Sequence, residues 1–331
     1  AIDLKNWKPA PNGHMYDQPW SGEILREYRR KVIAKHISAF CPDIFVFIRN
    51  NVFMDNILTA EQIAMVEQGR LGLFHTSTEH QPRQGEVKYQ AFLEYCRTGK
   101  TIAYAEGWTS IEDGATGGRK TQPQPSRISP CQLSYWRNLL DLHCGVSCIA
   151  IRGKDLDLGV DEEFARGFEF ANRYAGFHAS PAMSPGTWVA LREGDTLKGD
   201  YNFLMSRLEG RSTDAPLYDQ GPLDQRFGGW ARGIDPGGRI AFALDRRFAA
   251  TLKKVIVRVV YLDQGIGGFT VSCDVDGVKK QTRVGKENTG RWREKEISFP
   301  EARFTAFNGA DIELIADGEQ AIFHMVEVIR G

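Results

Sequence analysis

Polar and ionisable residues recur just beyond four short apolar runs, and their types suit a ligand site. The runs DIFVFIRNN, RLGLFHTSTEH, TIAYAEGW and VSCIAIRGKDLD lead into Arg49, Asn50 and Asn51; His75, Thr76, Glu79 and His80; Glu106 and Trp108; and Arg152, Lys154, Asp155 and Asp157. Glu106 stands out. A carboxylate there can attack an anomeric carbon or accept a proton, while the indole of Trp108 offers an apolar face to a sugar ring. Glu79 is the second carboxylate, and two carboxylates side by side repel until one acts as acid and the other as base. Arg49, Asn50, His75, His80, Trp108, Arg152 and Asp155 would then hold the substrate around the pair. The competing reading makes Glu106 a salt-bridge partner of Arg49 or Arg152, since strand exits are polar wherever they meet water.

Other chemistries have less to build on. His75 with His80, or Cys144 with Cys148, are candidate metal ligands, but Gly145 sits between the cysteines at a helix end, so they need not share a face. Buried, inert thiols are the better reading of that pair. The sequence contains no HExxH, GxGxxG or GxSxG, and GATGGRK at 114–120 has Arg119 where a phosphate loop needs glycine before its lysine. That segment reads as a surface or active-site loop.

The elements that must position these residues follow a helix-then-strand grammar. Ser21 caps a helical pattern with apolar residues from Ile24 to Ile37, and Pro42 precedes the first apolar run. Thr59 and Gln62 form a capping-box pattern before the second run, EVKYQAFLEYCRTG is helical before the third, and CQLSYWRNLLDLHCG before the fourth. Runs without alternation are strands covered on both faces, as in a parallel α/β sheet. DEEFARGFEFANRYAG closes this part as a last helix.

Beyond Gly186 the period changes to short alternating segments separated by Gly, Asp, Asn and Pro, among them KKVIVRVVYLD, RWREKEISF and AIFHMVEVI. This is β-sandwich grammar. The expected division is an α/β part over 1–180, a linker SPAMSPG at 180–186, and a β-sandwich over 186–331. WVALREGDTLKGDYNFLMSRLEG is expected to pack the sandwich against the α/β part. Asp263 and Asp274 are candidates for a structural Ca²⁺ site, with turn-stabilising roles as the alternative. Trp188, Trp230 and Trp292 form either a sugar platform or core anchors, and His324 needs no role beyond packing.

The chain has 331 residues, with 42 Lys and Arg against 42 Asp and Glu. That length suits about two domains, and the zero balance gives no general attraction for nucleic acid or an anionic membrane. Six cysteines are too sparse for a disulfide framework. No apolar stretch reaches the roughly 18 residues of a membrane span. The first residue is not Met, so a processed or partial chain is expected. Location stays open, a secreted or periplasmic one being favoured.

The carboxylate in AEGW, the strands ending in polar sites and the sandwich behind them resemble the distal half of a (β/α)8-barrel retaining glycoside hydrolase with an appended jelly-roll β-sandwich. The resemblance covers about 140 residues and implies that the four runs match the fifth to eighth barrel strands, with Glu106 as nucleophile. No Asn-Glu pair before Asp43 matches that family's acid/base site, so Glu79 would serve as the acid. A full barrel needs about 250 residues and about 180 precede the sandwich, so the fold class expected is α/β plus all-β, with an incomplete or diverged barrel. A second polypeptide or a missing N-terminal segment would complete it. No organic cofactor is implied. The expected activity is hydrolysis of a polysaccharide or oligosaccharide. The alternatives are a non-catalytic carbohydrate-binding or structural subunit, and a polysaccharide lyase using Arg49 or Arg152 against a uronate.

Overall fold

The computed structural model describes residues 46–49, 71–75, 103–107, 126–143, 145–151, 162–193, 199–275, 277–304 and 309–331. Four short strands, β1 (Val46–Arg49), β2 (Leu71–His75), β3 (Ala103–Gly107) and β4 (Cys148–Ile151), form a parallel sheet in the order β1-β2-β3-β4. They are the four apolar runs of the sequence. Neighbours in chain order are neighbours in the sheet, as in a segment of a barrel rather than a doubly wound sheet. The fold class is therefore mixed α/β followed by all-β. Among the described residues the parallel sheet stops at four strands, and the expectation that these belong to a (β/α)8-barrel hydrolase is corrected below.

Helix α1 (Pro130–His143) begins at a capping box. Ser129 Oγ accepts from the Gln132 backbone N–H at 3.3 Å, while Gln132 Oε1 accepts from the Ser129 N–H at 3.2 Å. Proline in the first turn costs nothing, because its missing N–H would have no partner there. Gly145, at φ 82°, ends the helix, and the N–H groups of Gly145 and Val146 return to the carbonyls of Leu142 and Asp141. Helix α2 (Glu162–Tyr174) carries Glu162 and Glu163 in its first turn, where acidic groups meet the positive end of the helix dipole. Its buried stripe is Phe164, Gly167, Phe170, Ala171 and Tyr174. A methyl group on Gly167 would lie 3.5 Å from the Tyr135 ring, an ordinary van der Waals contact.

The rest is an antiparallel sandwich. One sheet runs β13 (Val278–Gly285), β12 (Gly268–Val275), β15 (Ile312–Asp317), β10 (Arg239–Leu244), β7 (Met205–Arg207). The other runs β14 (Arg291–Phe299), β11 (Val255–Asp263), β16 (Ala321–Arg330), β5 (Gly186–Ala190), β6 (Tyr201–Phe203). To the second sheet are added β9 (Trp230–Ile234), paired with β16, and β8 (Ala215–Tyr218), paired with β9. Alternation along the strands sends Val257, Val259, Phe269, Val271, Leu314, Phe323, Val326 and Val328 into the space between the sheets. A single-turn helix, α3 (Arg246–Ala249), adds Phe248 to that core.

A second core lies on the other face of the larger sheet. Tyr135, Trp136, Leu139 and Leu142 of α1 and Phe170 and Tyr174 of α2 pack onto Trp188, Phe203, Val260, Leu262, Trp292 and Met325. Trp188 and Trp292 are buried at 0% and 2% exposure, so they anchor helices to sheet and offer no open platform. Trp230 is partly buried and packs edge-on against Trp136, with ring centroids 5.1 Å apart.

The register of β11 and β16 shifts between Val260 and Tyr261, which pair with Met325 and Phe323. His324 is the extra residue of this bulge. As a result Phe323 stays in the inter-sheet core, while His324 and Met325 both reach the helix side.

Candidate functional site

Register brings three of the residues singled out in the sequence to one edge of the parallel sheet. Arg49 ends β1 opposite Phe74, His75 ends β2 opposite Ala105, and Glu106 lies in β3 opposite Ala150. This is the carboxyl end of the strands, where α/β sheets collect ligand groups. Asn50, Glu79, His80, Trp108, Arg152 and Asp155 lie outside the described residues, as do Lys154, Asp157 and the loop at 114–120. Of the acidic residues considered for Ca²⁺, Asp263 accepts from the backbone N–H groups of Glu287, Asn288 and Thr289 and from the Thr289 hydroxyl. Asp274 Oδ1 accepts from the Gly277 N–H at 2.8 Å. Both carboxylates hold turns. Among the described residues no three His, Cys, Asp or Glu side chains gather as a metal site.

A cleft of about 210 Å³ opens instead beside α2, over the helix-facing side of the larger sheet. Its floor is Val260 and Met325, with the edges of Tyr135, Phe170 and Phe227. Along the sheet, Arg258 of β11 stands in register between Glu296 of β14 and Glu327 of β16. Arg258 Nη1 donates to Glu327 Oε2 at 2.6 Å and its Nε to Glu296 Oε1 at 3.0 Å. The Tyr174 hydroxyl of α2 donates to Glu327 Oε1. Burial, reinforced by the Glu327 carboxylate, pushes the Tyr174 phenol well above its ordinary range, so it remains a donor.

Arg226 makes the corresponding link at the first turn of α2. Its guanidinium reaches both oxygens of Glu163 at 3.2 Å and donates to Glu294 Oε1 of β14 at 2.8 Å. It also lies 4.1 Å from the centroid of Phe227. These planar, charge-assisted contacts fix the group in place.

Two polar side chains on the cleft wall are less committed. Arg173 touches Glu327 at 3.5 Å and keeps 40% of its side chain exposed, and Glu169, three residues after Arg166 on the same wall, is exposed. A guanidinium supplies donors alone and a carboxylate acceptors alone. Together they can satisfy both halves of a hydroxyl group. None of this set was among the candidates from sequence. The available signal was Arg258 within KKVIVRVVYLD and Glu327 within AIFHMVEVI, single opposite charges inside apolar strands, which stay charged in a sheet only when they pair.

No protein-family model matches the chain, and no curated protein matches it. Among solved structures it is similar to the C-terminal CBM6 of LamC, a marine laminarinase from Zobellia galactanivorans, at 12% identity and a TM-score of 0.26, covering 38% of this chain and 99% of that one. It is similar to a family 29 carbohydrate-binding module from Piromyces equi at 15% identity and a TM-score of 0.28, covering 43% and 90%. A carbohydrate-binding module of Cellvibrio mixtus lichenase 5A, in complex with cellotriose, aligns at 12% identity and a TM-score of 0.25, covering 37% and 88%. Scores this low fix neither ligand nor activity for this chain.

The expectation of a (β/α)8-barrel retaining glycoside hydrolase is corrected by these findings. The three solved structures named above are carbohydrate-binding modules, and each alignment covers less than half of this chain. The described parallel sheet has four strands. The buried carboxylate of the cleft, Glu327, is held by Arg258, Arg173 and Tyr174. The hydrolase and TIM-barrel expectations are therefore withdrawn, and the β-sandwich expectation stands. No catalytic role is assigned to Glu106 or Glu79. No helix among the described residues is long and apolar enough to cross a membrane.

Proposed function

We propose that the chain is a non-catalytic carbohydrate-binding protein whose saccharide sits in the cleft between α2 and the larger sheet. The observation that supports this most directly is that Arg173 and Glu169, a set of donors and a set of acceptors, both line the wall of the cleft. A sugar has the matching surface: hydroxyls that donate and accept around a ring with a C–H face. Arg173 would donate to one hydroxyl and Glu169 would accept from a neighbour. The fixed groups, Arg226, Arg258 and Glu327, keep the cleft in shape before ligand arrives, which lowers the ordering cost of binding.

Binding is tested by isothermal titration with monosaccharides and oligosaccharides found by a glycan screen. Arg173→Ala and Glu169→Ala are each expected to weaken the affinity about tenfold, the loss of a charge-assisted hydrogen bond. Glu169 is a surface group, so the melting temperature of its variant should stay within about 2 °C, whereas Arg173→Ala also loses the contact with Glu327. Full affinity in both variants would remove the cleft as the site.

A further inference from the structure

The cleft is closed at both ends by charged bars that run from sheet to helix. At one end the Arg226 guanidinium joins Glu163 of α2 to Glu294 of β14. At the other, Glu327 of β16 receives Tyr174 and Arg173 of α2 while paired with Arg258. Glu163 and Tyr174 are separated by eleven residues, about 16 Å along a helix at 1.5 Å per residue. The cleft between them has a volume of about 210 Å³, below the roughly 300 Å³ where pockets for larger ligands begin. A polymer lying along the helix would have to displace one of the bars.

We infer that the cleft reads a single sugar unit at the end of a chain, entered from the open side, and not an internal run of units. This rests on the saccharide reading above. The remainder of the glycan extends into solvent and adds no contact, so affinity is independent of chain length.

The test is calorimetric titration of the full chain with glucose, xylose, mannose and galactose and with the β-1,4-linked oligomers of each, two to six units long. For the sugar that binds, the association constant is expected to stay within about twofold from one unit to six, with one site per chain. Glu163→Ala, which frees Arg226 from α2, should open one end, and the constant should then rise at least fivefold between two units and four. Glu294→Gln loosens the same bar from the strand side and replaces Glu163→Ala if that variant does not fold. A tenfold rise across the series in the unmodified protein overturns the chain-end inference while leaving saccharide binding intact. A flat series in the opened variants overturns it too, because the bar is then not what limits length. No binding by any of these sugars overturns the saccharide reading itself.

Discussion

His324 lies in a cage of four rings, Tyr135, Trp136, Phe227 and Trp292, with centroid distances from 4.9 to 5.8 Å. Its exposure is zero, and burial pulls its pKa down to about 3. The unfolded chain takes up the proton near the ordinary pKa of about 6.5, so between these values the unfolded state binds more protons than the folded one. Stability contributed by the neutral ring is therefore complete above pH 6.5 and is lost as pH falls toward 3. His324→Phe should flatten the dependence of melting temperature on pH between 6.5 and 4; an unchanged slope would assign the acid sensitivity to other groups. The sequence placed His324 in the last strand as a packing residue, which it is. Its side of the sheet was not legible, because a one-residue bulge in β16 reverses the alternation there and leaves no mark in the apolar pattern. Arg173 and Glu169 were equally hidden, since charges at helical spacing read as an ordinary solvated face.

At the scale of elements, the helices and strands follow their patterns closely. CQLSYWRNLLDLHCG covers α1 except for Pro130, DEEFARGFEFANRYAG contains α2, and RWREKEISF, DIELIAD and AIFHMVEVI correspond to β14, β15 and β16. What the pattern could not convey is that α1 is covered on both sides. Gln132, Ser134, Asn138 and Asp141 look like its wet face, yet all four are buried. The segment WVALREGDTLKGDYNFLMSRLEG was expected to join the two parts, and α1 does pack on β6 within it. Its Asp200 also joins a buried quartet with Arg207, Arg232 and Asp214, linking β6, β7, β8 and β9. Asp214 is 1% exposed and bonds both arginines, so Asp214→Ala leaves two guanidinium groups short of a carboxylate. Breaking a buried ion pair by removing one partner costs about 3 to 5 kcal/mol. Chemical denaturation should show a loss of that order, and a loss below about 1 kcal/mol would mean that Asp200 compensates, together with Glu193, which accepts from Arg232 Nη2 at 2.7 Å.

At the scale of the whole molecule, α/β followed by all-β was legible from the change of period near Gly186, whereas the barrel was not earned by four strands. The two-part division at 180–186 is a proposal about folding units, and the packing of α1 and α2 on the larger sheet gives it a measurable consequence. A protein cut to start at Gly186 loses both helices and lays bare Trp188, Phe203, Val260, Leu262, Trp292 and Met325 on one continuous surface. Apolar patches of that kind drive association. Size-exclusion chromatography should find the 186–331 fragment as soluble aggregates or in the pellet, and the 126–331 fragment as monomer; a monomeric 186–331 fragment would show that the helices are dispensable. The sandwich is thus not a portable cassette. Fused to a carrier protein, it would have to travel with its own two-helix cover, and a fusion designed from the strand pattern alone would fail by precipitation.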